Sequence, residues 1–201
     1  MNNEPIRVSP ILTELRAATA RQHRNLEQRL PFTDDSFDVP QYGRLIQAYY
    51  GFYSPLERVL AEPAQGIAAL DWPRRIKAPV LRQDLLALGL NHSDIETLPR
   101  CCRLPTPHTR AEVLGVLYVL EGATLGGQVL RRVLGQKLGI EAGNGGAFLD
   151  VYAEATGALW RDFLLLLSSV EQPTDKHQAV ACAQATFLCL ENWLDLMEIL
   201  R

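Results

Sequence analysis

The chain has 201 residues, of which 47% are hydrophobic, and a formal net charge of −3. This composition provides one core, so we expect a single domain over residues 1–201, with residues 1–9 as a flexible N-terminal segment. The acidic balance and the lack of a basic stripe interleaved with aromatic residues exclude nucleic acid as an expected partner.

No apolar signal segment opens the chain, and the four cysteines have no CxxC or zinc spacing. Reduced thiols in a cytoplasmic protein are therefore expected. The longest apolar stretch, residues 113–130, contains Glu121 and several glycines. We interpret it as a buried helix rather than a membrane span, so no membrane partner is expected.

Helical spacing of apolar residues dominates the chain, and no period-two strand pattern is present. The predicted helices cover residues 10–30, 41–62, 80–89, 109–138, 148–169 and 176–201, with a loop and short helix over residues 64–79. Pro55 is predicted to kink the second helix and Pro63 to end it. Thr109 and Glu112 form a capping-box pattern at the start of the fourth helix. The predicted fold class is all-α.

The first predicted helix carries a histidine in its apolar stripe. His23 follows Thr19 by four residues and precedes Leu26 by three, which predicts a buried imidazole. Glu27 lies one turn later, within reach of one ring nitrogen, and the other nitrogen is left for a ligand. A core histidine held by the same carboxylate would give the same spacing, so both roles remain open.

The fourth predicted helix contains Gly122, Gly126 and Gly127 within six residues. Each glycine inside a helix costs about 1 kcal/mol relative to alanine, so the cluster requires a reason. Close helix packing and close approach of a planar ligand, with a bend of the helix, explain it equally well. The segment has no phosphate-loop Lys-Ser/Thr and no preceding strand.

Other residue groups have both a structural and a functional interpretation. Tyr49, Tyr50 and Tyr53 on the second helix suit a core, but a buried phenol also needs a hydrogen-bond partner such as ordered water. Arg16 and Arg161 suit a solvated surface or the binding of a ligand carboxylate.

Two segments together resemble a known family. Residues 15–27 (LRAATARQHRNLE) resemble the proximal helix of heme oxygenases, and residues 118–130 (YVLEGATLGGQVL) resemble their distal helix. The resemblance extends over nearly the whole chain and includes the last helix with Phe187. It is strongest to the bacterial branch that supplies bacteriophytochromes with biliverdin.

The resemblance implies a heme-oxygenase-like helical bundle with haem between the two helices. It implies that His23 ligates the iron, that Glu27 holds the imidazole, and that Gly122 and Gly126 let haem and O2 approach the distal helix. It further assigns Gly127 and Phe187 to cofactor binding, Tyr53 to the distal hydrogen-bond network, and Arg16 and, less directly, Arg161 to the propionates.

One position departs from the family pattern. Mammalian-type enzymes carry an Asp after the first distal glycine, where it organises distal water, and this chain has Ala123. Thr124, Gln128 or water held by the backbone are the candidate replacements.

Haem would then be both cofactor and substrate, with O2 and external electrons, and the products would be biliverdin, CO and iron. The chain has no flavin, nicotinamide or iron–sulfur motif, so the resemblance implies a ferredoxin, a flavodoxin or a reductase as the electron donor. A bacteriophytochrome is a candidate acceptor for the bilin, and release of iron is the other candidate purpose.

Two alternatives remain at this point. The first is a haem-binding carrier or sensor that keeps His23 without turnover. The second is a non-haem member of the same helical superfamily, thiaminase-like or di-iron. A di-iron site would need Glu-x-x-His pairs on several helices, and the sequence contains none.

Overall fold

The computed structural model of the chain describes residues 9–201, and these residues form helices, tight turns and loops without a strand. Most of the expected flexible segment, residues 1–8, therefore lies outside the described residues. The α-helices of the described part are α1 (Pro10–Arg29), α2 (Val39–Gln65), α3 (Trp72–Arg75), α4 (Ala78–Ala87), α5 (His92–Thr97), α6 (Arg110–Leu138), α7 (Thr156–Ser168) and α8 (Pro173–Leu196). The all-α prediction is confirmed.

Local sequence signals explain where the two longest helices begin and end. The Asp38 carboxylate accepts a hydrogen bond from the Gln41 backbone N–H, and the Gln41 side chain accepts one from the Asp38 backbone N–H. Helix α2 therefore begins with a capping box. Thr109 and Glu112 cap α6 in the same way, as predicted. Gly139, at φ +68°, ends α6 in the left-handed conformation that glycine adopts without strain.

The predicted end of α2 was wrong. The helix continues through Pro55 and Pro63 to Gln65. Leu60 and Ala64, on either side of Pro63, are fully buried. The packing of these side chains stabilises the helix although Pro63 has no backbone N–H to donate.

Residues 148–155 were predicted as helix but form two short 3₁₀ turns, Ala147–Asp150 and Ala153–Ala155. The carboxylate of Asp84 accepts from the Ala147 and Phe148 N–H groups at 2.9 and 2.8 Å, which fixes the backbone before α7 begins. The last helix also ends earlier than predicted. Glu198, at φ +55°, reverses the chain while the Ile199 N–H donates to the Leu194 carbonyl. The short helix α5 was not predicted.

The bundle is organised around α6. This helix packs against α2, α7 and α8, and α7 and α8 each also contact α1. A Cβ on Gly115 would collide with the backbone of Ala179, so glycine permits the close contact of α6 and α8. No extensive contact joins α1 directly to α6 within residues 9–201, while α7 and α8 each contact both helices; the space between α1 and α6 is called the gap below.

The apolar stretch predicted as a buried helix lies in α6. This helix is long and apolar enough to cross a membrane, but half of its most apolar window is buried in the bundle. That burial fits the central helix of a packed domain.

Candidate active site

His23 lies on α1 beside the gap, with its imidazole held from one side. Its Nδ1 is 3.2 Å from Oε2 of Glu27, and its ring meets the ring of Phe187 edge-on at a centroid distance of 5.9 Å. Nε2 has no hydrogen-bond partner among residues 9–201. One nitrogen is therefore oriented by a carboxylate while the other is available to a ligand.

The prediction that His23 is buried was wrong, because the side chains of His23 and Glu27 are 57% and 63% exposed. The apolar stripe of α1 is buried at Leu12, Leu15 and Thr19, but at His23 it reaches the gap between α1 and α6. The apolar pattern placed His23 on the same face as Leu15 and Thr19, but at this turn of α1 the face is exposed.

The three clustered glycines of α6 divide into two kinds. A Cβ on Gly127 would lie 2.5 Å from the Leu149 carbonyl oxygen, so this glycine serves close packing against the turn over Ala147–Asp150. A Cβ on Gly126 would meet nothing within 4 Å, and one on Gly122 would only touch the Trp160 ring at 3.9 Å. Helix α6 is continuous through all three, so the expected bend does not interrupt it.

The side of α6 near Gly126 is apolar and unusually open. Leu125, Val129 and Val133 are 38%, 63% and 41% exposed. A helix in the centre of a bundle normally buries such side chains, so this surface has room for an apolar ligand.

Helices α7 and α8 supply aromatic side chains to the site. Trp160 of α7 lies next to Gly122 and packs on Tyr118 of α6, with the ring centroids 6.2 Å apart. Phe187 of α8 lies against His23. Arg16 and Arg161 are exposed and form no ion pair with any described residue, so both guanidinium groups are available to an anion.

Tyr53 is 97% buried on α2, with its ring edge-on to Phe148 at 5.2 Å and to Tyr49 at 6.4 Å. Its hydroxyl has no hydrogen-bond partner in the described part of the chain. Burial, followed by the charges of Tyr49, Glu57 and Glu121, raises the pKa of this phenol well above its ordinary value. Tyr53 is therefore a neutral hydroxyl at physiological pH.

Thr124 and Gln128 are both engaged by protein groups. The Thr124 hydroxyl donates to the Glu121 carbonyl at 2.7 Å. The Gln128 amide donates to Asp150 and to the Ala153 carbonyl, at 3.4 and 3.2 Å. Gln128 thus secures the loop before α7, while Thr124 retains only the acceptor capacity of its hydroxyl.

Sequence reasoning missed a buried ionic cluster in the middle of α6. Glu121 is 1% exposed and accepts hydrogen bonds from the Arg75 guanidinium, from Lys77 Nζ at 2.7 Å and from the Tyr152 hydroxyl at 2.9 Å. Arg75 and Lys77 are equally buried. A glutamate in the longest apolar stretch was the available signal, because a buried carboxylate requires partners.

A second buried carboxylate lies beside this cluster. Glu57 accepts from the backbone N–H groups of Lys77 and Ala78, at 2.7 and 3.0 Å. Burial raises the pKa of Glu57, while these two hydrogen bonds and the Lys77 charge oppose the rise. Two acidic and two basic side chains therefore lie together in the core behind the open side of α6.

The His, Cys, Asp and Glu side chains of the described residues suit ligation of a metal by a single imidazole. No group of three or more His, Cys, Asp or Glu side chains is arranged to hold an ion within residues 9–201. A di-iron centre would need such a group, whereas haem iron needs one axial imidazole from the protein. The single imidazole of His23, with Nε2 unengaged among the described residues, meets the second requirement.

Comparison with known proteins finds similar sequences over most of the chain. The model of the heme oxygenase family matches residues 9–195. A heme oxygenase of Xanthomonas campestris pv. campestris (strain 8004) is 28% identical over 154 residues, which cover 75% of this chain and 86% of that protein.

Solved structures share the fold. Heme oxygenase from Leptospira interrogans has a TM-score of 0.75 at 18% identity, covering 92% of this chain and 98% of that chain. The NO- and CO-bound enzyme from Neisseria meningitidis has 0.73 at 22% identity, covering 95% and 92%. Heme oxygenase-1 from Synechocystis sp. PCC6803 in complex with heme has 0.77 at 15% identity, covering 94% and 92%.

Proposed function

The chain belongs to the heme oxygenase family, whose members degrade haem, and we propose that it cleaves haem at a meso carbon to biliverdin, CO and iron. The observation that carries this proposal is the pairing of an oriented, accessible imidazole on α1 with an open glycine side of α6. When bound, haem supplies the iron that activates O2 and the porphyrin edge that is oxidised.

His23 is the proposed axial ligand through Nε2. The Glu27 carboxylate, 3.2 Å from Nδ1, favours a proton on that nitrogen and so leaves Nε2 as the nitrogen for the iron. The Phe187 ring of α8 packs edge-on against the His23 imidazole and limits its rotation. A neutral imidazole ligand is suited to O2 binding, in contrast to the electron-rich thiolate that favours O–O cleavage.

Gly122 and Gly126 are proposed to form the opposite side of the site. Without side chains at these positions, the macrocycle can approach the α6 backbone closely, and the exposed Leu125 and Val129 cover its apolar area. With haem bound against this side, α6 would limit the room available to a diatomic molecule on that face of the haem. Regioselectivity follows from positioning, with the macrocycle contributing the reactivity.

Arg16 and Arg161 are proposed to bind the two propionates. Both are exposed and free of carboxylate partners in the described residues, whereas Arg29, Arg75 and Arg131 are already paired. A guanidinium binds a carboxylate with two parallel hydrogen bonds. Each arginine can therefore set the rotational orientation of the haem and also increase the affinity for it.

The remaining components come from outside the chain. We propose a ferredoxin, a flavodoxin or a reductase as the electron donor, and the cytoplasm as the compartment, in keeping with four unpaired thiols. The bilin would pass to a bacteriophytochrome, or the released iron would be the useful product.

A hemin titration with a matched control tests the proposal. The unaltered protein should give a sharp Soret band, and His23→Ala should lose it, while His177→Ala, an exposed histidine of α8, should keep it. With an electron donor and catalase present, the Soret band of the unaltered protein should decay as broad red biliverdin absorption grows.

Each result has a clear meaning. A stable Soret band that never decays under reduction would identify a carrier or sensor and overturn the proposed turnover. A band that survives His23→Ala would remove His23 as the ligand. Failure of the unaltered protein to bind hemin would show that the proposed haem site between α1 and α6 does not exist.

A further inference from the structure

The connection between α5 and α6, residues 98–109, carries a cysteine that meets a cysteine of α8. Sγ of Cys101 lies 3.7 Å from Sγ of Cys189, although the two residues are 88 positions apart in the chain. All four cysteines are free thiols. The two sulfur atoms are therefore reduced and in van der Waals contact, and the pair takes no part in the contacts of His23 described above.

The packing of three segments fixes the positions of both thiols. The Cys101 N–H donates to the Gly51 carbonyl of α2 at 2.9 Å. A Cβ on Gly51 would lie 2.6 Å from the Pro99 carbonyl oxygen and 2.7 Å from the Trp193 ring, so α2, the connection and α8 approach one another closely there. Trp193 lies one turn of α8 after Cys189. The two cysteines are thus brought together by the packed backbone of the domain.

The separation of the sulfur atoms suits the formation of a disulfide. A disulfide joins sulfur atoms about 2.05 Å apart, so the two Sγ atoms need to approach each other by about 1.7 Å. Rotation of both side chains about χ1 can share a movement of this size. No group of three or more His, Cys, Asp or Glu side chains within residues 9–201 is arranged to hold a metal, so the described residues do not make this pair part of a zinc site.

Cys189 provides access to the pair from solvent. Cys101 is buried, whereas Cys189 is half-buried and its thiol donates to the Arg103 carbonyl at 3.0 Å. A molecule as small as hydrogen peroxide can therefore reach the Cys189 sulfur. Burial, followed by the charge of Cys101, raises the pKa of Cys189 to about 12, so the reactive thiolate is scarce near pH 7. Oxidation of the pair is consequently slow and requires sustained exposure to peroxide.

We propose that Cys101 and Cys189 form a reversible disulfide, which hydrogen peroxide closes and a dithiol reductant opens. The Cys189 sulfur attacks one peroxide oxygen, the O–O bond breaks, and a sulfenic acid and one water are formed. The Cys101 sulfur then attacks the Cys189 sulfur, the S–O bond breaks, and the hydroxide leaves with the Cys101 proton as a second water. The two thiols lose two electrons in total, and the peroxide is reduced to two waters.

The bond links the connection before α6 covalently to α8. It closes a loop of 88 positions, and a link of this span stabilises the fold mainly by constraining the unfolded chain. Helix α8 packs along α6 and carries Phe187, which meets His23, so the link restrains the helix that contacts both sides of the gap. In a reducing compartment, a disulfide that opens and closes in this way serves to sense oxidants.

Treatment with hydrogen peroxide, alkylation of the remaining thiols and tryptic mapping without reductant test the proposal. Trypsin releases residues 101–103 and residues 177–201 as separate peptides, and each contains two cysteines. The control variants Cys102→Ser and Cys182→Ser each leave a single cysteine in one of these peptides, so together they identify the two sulfur atoms that are joined. Cys102 is exposed and Cys182 is half-buried, and neither belongs to the proposed pair.

We expect the unaltered protein and both control variants to give the crosslink between the two peptides after peroxide and to lose it after dithiothreitol. The oxidised form of these proteins should melt about 4–16 °C above the reduced form, as expected for a disulfide that closes a long loop in a domain of this size. Cys189→Ser, treated in the same way, should give neither the crosslink nor the rise in melting temperature.

A crosslink that does not form in the unaltered protein, or that requires Cys102, would overturn the proposal and leave the pair as two packed apolar side chains. An oxidised form that melts no higher than the reduced form would overturn the stabilising link between the connection and α8. If the buried substitution Cys101→Ser prevents folding, Cys189→Ser decides. None of these measurements requires haem, so their outcome is independent of the hemin titration that tests the proposed function.

Discussion

Adjacent glycines of α6 should respond in opposite ways to the same substitution. Gly126 faces open space, whereas a Cβ on Gly127 would lie 2.5 Å from a backbone oxygen of Leu149. We therefore compare Gly126→Ala with Gly127→Ala in the protein without haem and in its haem complex.

The structure gives the expected magnitudes. Alanine in a helix interior is favoured over glycine by about 1 kcal/mol, and nothing opposes this gain at position 126. For a domain of this size, a gain of about 1 kcal/mol raises the melting temperature by about 2–4 °C. At position 127 the backbone of Leu149 must move, and overpacking of about 1–3 kcal/mol cancels or reverses the gain.

Urea unfolding of the haem-free variants, followed by far-UV circular dichroism, measures the two free energies of unfolding. Hemin titration and biliverdin formation then measure function. Gly126→Ala should be more stable than the unaltered protein and yet bind or turn over haem less well, because the new methyl group occupies the surface proposed for the macrocycle. Gly127→Ala should lose stability or stay unchanged.

Two outcomes would refute this reasoning. If Gly126→Ala destabilises the haem-free protein as much as Gly127→Ala, position 126 is not open. If Gly126→Ala stabilises the fold and leaves both haem affinity and biliverdin formation unchanged, the open surface of α6 is not where haem binds.

Two further predictions concern capping and thiol reactivity. Hydrogen bonds from the His108 and Thr109 N–H groups hold the pKa of Glu112 below its unfolded value. The stability that the Glu112 carboxylate adds to the fold is therefore fully present at pH values above the unfolded pKa, and it is lost as the pH falls through the folded pKa. Glu112→Ala should therefore lower the free energy of unfolding by about 1 kcal/mol near pH 7; a deficit that persists in acid would contradict the capping explanation. Cys102 is exposed, whereas burial raises the pKa of Cys189 to about 12, so Ellman's reagent should modify one thiol quickly. Cys102→Ser should abolish that fast phase, and its survival would show that another cysteine is the reactive one.

Local patterns predicted the parts of the fold that local forces determine. The Thr109–Glu112 cap and the apolar spacing of α1 and α6 identified these helices. The exposure of the His23 side chain could not be predicted, because the gap beside it depends on how α7 and α8 separate α1 from α6. The partners of Glu121 lie more than thirty positions away in either direction, so its ionic cluster has no local signature.

The same limit applied to the glycines. Spacing alone did not distinguish Gly127, which packs against Leu149, from Gly126, which faces the open gap. The difference arises because the turn before α7 approaches one side of α6 only. Helix spacing reports which residues share a side, and the arrangement of other elements decides what that side meets.

The contacts of α8 have a consequence for how haem affinity could vary among related chains. This helix touches α6 at Gly115 through Ala179 and touches His23 through Phe187, whereas α1 and α6 make no extensive contact with each other. The distance between His23 and the open side of α6 is thus set by other helices, α8 foremost. A larger residue at position 115 or 179 would widen or tilt the gap without altering His23, Gly122 or Gly126. Differences in binding between relatives with identical proximal and distal motifs can therefore originate in the seam between α6 and α8.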